Sequence, residues 1–240
     1  MKALILAAGL GTRLRPITLK IPKCLVSIQG KPLLRHWLDI LDHQSIDGIF
    51  INTHYLADQV HDALTRDGMQ NRVSLLHEQD LLGTGGTLLK HRSSFMPGPV
   101  MVIHGDNLSL FDLEKFIRAH DQRPRHCVMT MMTFRTDSPS SCGIVELDPQ
   151  GVVTAFHEKT ASPPGNLANG AVYIMEPPVF DIMASLNREF IDLSLDVLPR
   201  LLGRIFTFEN TVYHRDIGTP ESLETARREF EKLGESDGKA

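Results

Sequence analysis

Four cations crowd behind a glycine-bearing turn near the start of the chain. Arg13, Arg15, Lys20 and Lys23 follow Gly9 and Gly11, and no acid precedes Asp39. The protein as a whole carries a formal net charge of −4, so this stretch is a local reversal of sign, the asymmetry a polyphosphate site calls for. Glycines let backbone N–H groups turn toward an anion without a Cβ in the way. Two acids stand in turn-forming surroundings, Asp106 in Gly105-Asp106-Asn107 and Asp216 in Asp216-Ile217-Gly218-Thr219-Pro220. Either carboxylate suits Mg²⁺, which takes one or two carboxylates plus phosphates and water. Asp106 could equally cap a helix, and Asp216 could equally be a turn residue before a helix opening near Pro220. Gly83-Thr84-Gly85-Gly86 permits close approach of a flat base, or simply begins a helix.

The two familiar phosphate loops do not fit the N-terminal stretch. Leu14 stands where the third glycine of G-x-G-x-x-G belongs, and no Gly-Lys-Ser/Thr completes a P-loop after Gly9. What is present is G-x-G-T-R-x-R-P-x-T over 9–18, then Pro22-Lys23.

These groups need elements to position them. Ala3 to Ala7 is a continuous apolar run, as in a strand buried on both faces. Further strands are expected at 48–53, 73–76, 100–103 and 127–134. Helices are expected from Gly30-Lys31-Pro32 onward, after Ala57, over 83–95 and over 113–120. Strands alternating with helices at this spacing argue a Rossmann-like, doubly wound, mostly parallel α/β sheet. The rhythm changes after Asp137. Short strands at 143–147 and 152–156 flank Asp148-Pro149-Gln150-Gly151, which is hairpin chemistry. A strand at 171–175, a helix at 177–186, an apolar helical stretch at 193–202, strands at 204–208 and 212–214 and a charged helix at 221–233 follow. The last few residues are expected to fray. This second part reads as a mixed α+β half. Ligands of open α/β sheets bind outside the carboxyl ends of the strands, where Gly9–Lys23, Glu78–Gly86, Gly105–Asn107 and Asp216–Pro220 should fall.

With 240 residues, 42% hydrophobic and 22% charged, the chain has the composition of an ordinary globular protein. The absence of a linker or repeat argues one domain over 1–240, with a nucleotide-binding half at 1–135 and a second half at 136–225. Net negative charge argues against a nucleic-acid surface. No apolar run approaches the ~18 residues of a membrane span, and the apolar start is too short for a signal peptide. Three cysteines, Cys24, Cys127 and Cys142, lack C-x-x-C spacing, which points to reduced thiols in the cytoplasm.

The signature over 9–23 resembles that of the sugar-1-phosphate nucleotidyltransferases, including their guanylyl- and thymidylyltransferase catalytic domains, and the resemblance runs over roughly 1–225. It implies the nucleotide-diphospho-sugar transferase fold and a Mg²⁺-dependent reaction of an NTP with a sugar 1-phosphate. By that resemblance Leu6, Ala8, Gly9, Gly11, Thr12, Arg13, Lys23, Glu78, Gly83, Thr84 and Asp106 contact nucleotide, and Gly143, Glu158, Lys159 and Asn169 contact the sugar phosphate. Arg13, Lys23, Asp106 and Asp216 would be catalytic, and the two aspartates would hold the metal. Taken alone, Phe156-His157-Glu158-Lys159 is a charged strand end. Asp192 and Asp196 also match the family pattern, but capping accounts for Asp192. Cys24 and Ser222 depart from it, standing where a proline and an aromatic are commoner. No hexapeptide repeats follow, so no attached β-helix is expected.

GTP is the nucleotide favoured on geometry. An ionised Glu78 only accepts hydrogen bonds, and guanine offers two adjacent donors. A UTP- or dTTP-dependent enzyme is the alternative. A catalytically silent nucleotide-sugar-binding subunit is the alternative from another class. A glycosyltransferase would want an Asp-x-Asp motif, which is missing. The sugar, with mannose and heptose types preferred, and a homo-oligomeric state are left open by the sequence.

Overall fold

Three consecutive side chains of the first strand, Ala3, Leu4 and Ile5, are fully buried within Lys2–Leu6, as an unbroken apolar run demands of a strand covered on both faces. A computed structural model describes residues 1–237, with side chains described through Leu233. The fraying expected of the last few residues lies outside the described residues. The chain is a mixed α/β fold that divides into two compact units, each assembled from separated segments.

One unit gathers residues 1–4, 80–103 and 111–212. Strand Leu167–Met175 is its centre and pairs antiparallel with Val100–His104, Met129–Arg135 and Gly143–Leu147. Ile205–Glu209 runs parallel to Met129–Arg135. The expected hairpin forms between Gly143–Leu147 and Val153–Glu158. Asp148 closes its turn, its Oδ1 accepting from the N–H of Gln150 at 2.8 Å and of Val152 at 2.9 Å, the local side-chain bonding that makes Asp a turn residue. The stretch expected as one helix over 83–95 is instead Gly83–Lys90 and a short turn Arg92–Phe95. The stretch after Asp192 forms a single wide π turn, Leu193–Val197, and then a 3₁₀ turn. Asp192 caps it, accepting from Leu195 N–H at 3.0 Å.

The other unit gathers residues 5–79, 104–110 and the described residues from 213 onward. Gly48–Thr53 and Val73–His77 run parallel, joined through helix Ala57–Arg66. Helix Leu33–Ile40 starts one residue after Pro32. The residues just before it form a tight hairpin, Ser27–Ile28 against Lys31–Pro32. Gln29 and Gly30 both have positive φ at its tip, the geometry of a type I′ turn. A strand that the sequence reading lacked, Asn107–Leu110, pairs antiparallel with Tyr213–Asp216. Cys24 is buried in this unit, and burial pushes its thiol up to about 12, so its role there is packing. Among the described residues no helix is long and apolar enough to cross a membrane, and all three cysteines are free thiols.

Candidate active site

The glycine loop is shaped by its own side chains. Gly11 sits at φ 60°, and a Cβ there would lie 2.8 Å from Thr18 Cγ2. The Thr18 hydroxyl donates to the Gly11 carbonyl at 2.7 Å. Three short 3₁₀ turns follow, Thr12–Leu14, Ile17–Leu19 and Lys23–Leu25. The last places Lys23, whose side chain is only 9% exposed.

Lys23 is where the site closes on itself. Its Nζ lies 2.9 Å from Asp106 Oδ2 and 3.3 Å from Asp216 Oδ1. Those carboxylates are about half exposed. The two-strand ladder explains how residues so distant in sequence arrive together. Asp216 stands opposite Asn107 in its register, one residue from Asp106. The Asn107 carbonyl in turn accepts from the buried Trp37 indole at 2.8 Å. Gly105 lets the approach happen, because a Cβ there would lie 2.7 Å from Ile5 Cγ2. Arg13 reaches Asp216 at 3.7 Å. Gly218 leaves room for that pair, since a Cβ would sit 2.9 Å from both Arg13 Nη2 and Asp216 Oδ1. Ser222 holds the turn, its hydroxyl donating to the Asp216 carbonyl and its N–H to Thr219 Oγ1. Burial works to raise the Asp106 pKa, but the Lys23 ammonium and then the His104 charge outweigh it, so the carboxyl lies below its ordinary range. Burial pushes His214 down to about 3, so it is neutral near neutral pH.

In the same unit Glu78 is 1% exposed. Its Oε1 accepts from Asn52 Nδ2 at 3.0 Å, and Asn52 Oδ1 accepts from the Ala7 N–H at 2.7 Å. Asn52 therefore ties the strand end just before Ala8 and Gly9 to Glu78. The sequence reading missed Asn52. Its one signal is a polar residue that directly follows the apolar run Ile49-Phe50-Ile51 within the strand.

In the other unit the three glycines after Leu82 meet the chain itself. A Cβ on Gly83 would lie 2.5 Å from the Ile191 carbonyl oxygen, and one on Gly86 would lie 2.3 Å from that of Glu189. Gly85 and Gly86 N–H both donate to the Ile191 carbonyl, and the Thr84 hydroxyl accepts from Leu193 N–H at 2.8 Å. Docking of the 189–193 segment thus accounts for these small residues. Across the hairpin, Glu158 pairs in register with Gly143, where a Cβ would crowd Glu158 Oε2 at 2.7 Å. Lys159 follows at φ 48°, turning out of the strand, with its Nζ 3.3 Å from Glu158 Oε1. Asn169 donates to the Tyr173 hydroxyl at 2.7 Å and accepts from Ala171 N–H at 2.9 Å.

These features define a Rossmann-like α/β protein that sets buried and exposed cations beside paired carboxylates, the equipment for handling polyphosphate. The chain belongs to the nucleotidyl transferase family, whose model matches residues 2–232. It is 33% identical over 92% of its length to a mannose-1-phosphate guanylyltransferase of Mycobacterium tuberculosis, and spans 62% of that relative. It is also 33% identical to a UTP–glucose-1-phosphate uridylyltransferase of Synechocystis, covering 84% of this chain and 55% of that relative. Among solved structures, HddC from Yersinia pseudotuberculosis complexed with GMP-PN matches with a TM-score of 0.79 and 28% identity, over 95% of this chain and 99% of that one.

Proposed function

We propose that this protein is a sugar-1-phosphate nucleotidyltransferase converting NTP and sugar 1-phosphate to NDP-sugar and pyrophosphate. The observation that carries this reading is the Lys23 ammonium held between Asp106 and Asp216, with Arg13 alongside. A phosphate oxygen of the sugar phosphate attacks the α-phosphorus in line, and pyrophosphate leaves. That nucleophile is already an anion, so no strong general base is needed. The difficulty is bringing two polyanions together, and catalysis is positioning and charge neutralisation. Arg13 holds the leaving β,γ-phosphates and Lys23 neutralises charge near the α-phosphate. Each charge-assisted contact contributes about 1.5–3 kcal/mol. Leu6, Ala8, Gly9, Gly11 and Thr12 line the nucleotide. Lys159 takes the sugar phosphate, Glu158 a sugar hydroxyl, and Gly143 and Asn169 support them.

Asp106 and Asp216 suit Mg²⁺, because both present oxygens to a single cation position, the donor chemistry of a hard ion. Among the described residues no group of three or more His, Cys, Asp or Glu is placed to hold a metal, so phosphate and water oxygens complete the ligand set. When bound, the ion would neutralise charge on the triphosphate. GTP is the preferred nucleotide. The guanylyltransferase relative and the GMP-PN complex of the structural neighbour support it, while the uridylyltransferase relative supports UTP as the alternative. The absence of paired or clustered cysteines supports work in the cytoplasm.

A panel of GTP, UTP, dTTP and ATP against mannose, glucose and heptose 1-phosphates, read by pyrophosphate release, tests the reading. Release that requires both substrates is expected. Nucleotide binding without release from any pair would overturn it in favour of a silent binding subunit.

A further inference from the structure

We infer that Lys23 is a resident stand-in cation: in the nucleotide-free protein its ammonium fills the position between Asp106 and Asp216 that a divalent ion takes during turnover. The inference rests on the metal assignment proposed above and adds an order to binding. Lys23 Nζ contacts both carboxylates, at 2.9 and 3.3 Å, from a side chain 9% exposed, whereas the carboxylates are 45% and 47% exposed. The ammonium therefore sits on the protein side of the pair and blocks their shared inner edge. Without it Asp106 would lose its closest cation and the pair would keep only the longer Arg13 contact to Asp216, leaving two like charges poorly compensated. Arg13 does not do this work, being 3.7 Å from Asp216 alone and 61% exposed.

A lysine is suited to the part because its charge rides on a flexible four-carbon stem and can move without the backbone. A triphosphate offers Lys23 an alternative anion. Lys23 then releases the carboxylates, so ion and nucleotide bind together rather than the ion first. A site open only in a minor conformation shows an affinity reduced by that population.

The test is Mn²⁺ binding to the nucleotide-free protein, followed by the EPR signal of free Mn²⁺, in the native chain and in Lys23→Met, Lys23→Gln and Arg13→Ala, each first checked by thermal melting. Native protein should bind weakly. Both Lys23 variants should bind about tenfold or more tightly, and Arg13→Ala should stay near native. Adding Asp106→Asn to Lys23→Met should abolish the gain. Equal Mn²⁺ affinity in native and Lys23 variants overturns the inference, as does an equal gain in Arg13→Ala, which would make net charge the cause. Pyrophosphate release by the native protein in the same Mn²⁺ buffer reads the proposed function independently.

Discussion

Asn107 stands directly across from Asp216 in a four-residue antiparallel ladder, and this pairing delivers two aspartates from distant parts of the sequence to one ammonium. The ladder is anchored where the Asn107 carbonyl meets Trp37. The geometry of the carboxylates is thus fixed by main-chain pairing rather than by flexible side chains.

Asp106→Asn and Asp216→Asn should each lower turnover at least about 10²-fold. Their melting temperatures should change little, because the replacement is nearly isosteric. Steady-state kinetics at saturating Mg²⁺ together with thermal melts check this. Near-native turnover in both variants would refute the metal assignment.

Lys159 and Lys23 should fail differently. Lys159→Ala should raise KM for the sugar 1-phosphate with modest loss of kcat, while Lys23→Ala should lower kcat itself. Varying each substrate in turn separates the two. Losses in both variants confined to NTP binding would contradict this division.

The base edge is the next test. Glu78 is buried and bonded to Asn52, so its carboxylate reaches a base only with one oxygen already engaged. Glu78→Gln should relax any preference for GTP, because an amide can present either edge. Asn52→Leu should also change the ranking, since it removes the Asn52 hydrogen bond to Glu78 Oε1 and takes the Asn52 acceptor from the Ala7 N–H, at a cost of about 1–3 kcal/mol in stability. The quantity to measure is kcat/KM for GTP relative to UTP and dTTP. An unaltered ranking in both variants would remove Glu78 from base recognition.

A pH effect on stability should come from His120. It is buried, with Nδ1 2.8 Å from Thr130 Oγ1 and Nε2 3.3 Å from Glu176 Oε1. Burial, then the Arg123 charge, push it from 6.5 down to about 3. Between those values the unfolded chain binds the proton and the folded chain does not. Stability is therefore full above about pH 6.5 and declines as pH falls toward 3, with about 2 kcal/mol lost by about pH 5. His120→Gln, which cannot titrate, should show a flatter decline in urea midpoints between pH 7 and 5 than the native chain. Parallel declines would show that His120 is not the cause.

Much of this was legible in residue pattern, and the exceptions share a cause. The strand Lys2–Leu6, the 143–158 hairpin and the Asp192 cap were readable because apolar runs, turn residues and capping acids act locally. Asn107–Leu110 was not, because four residues following directly on another strand end carry no period of their own. Its partner lies far along the chain, and only tertiary pairing reveals it. Asn52 was missed because an isolated polar residue in a strand carries no signal of its buried partner. Gly83, Gly85 and Gly86 read as room for a flat base or as a helix start; a helix does begin at Gly83, and residues 189–191 come close against these glycines. A glycine reports that something comes close, not what it is.

The proposed reaction is attack of a sugar phosphate on the α-phosphorus of a nucleoside triphosphate. Incubating the protein with Mg²⁺, a sugar 1-phosphate and NTPs labelled with ³²P at the α-position tests it most directly. Label is expected in an NDP-sugar, with unlabelled pyrophosphate, formed only when both substrates are present and lost in Asp106→Asn. Label that stays in NTP under every substrate pair, or that appears in the released phosphate product, would contradict it.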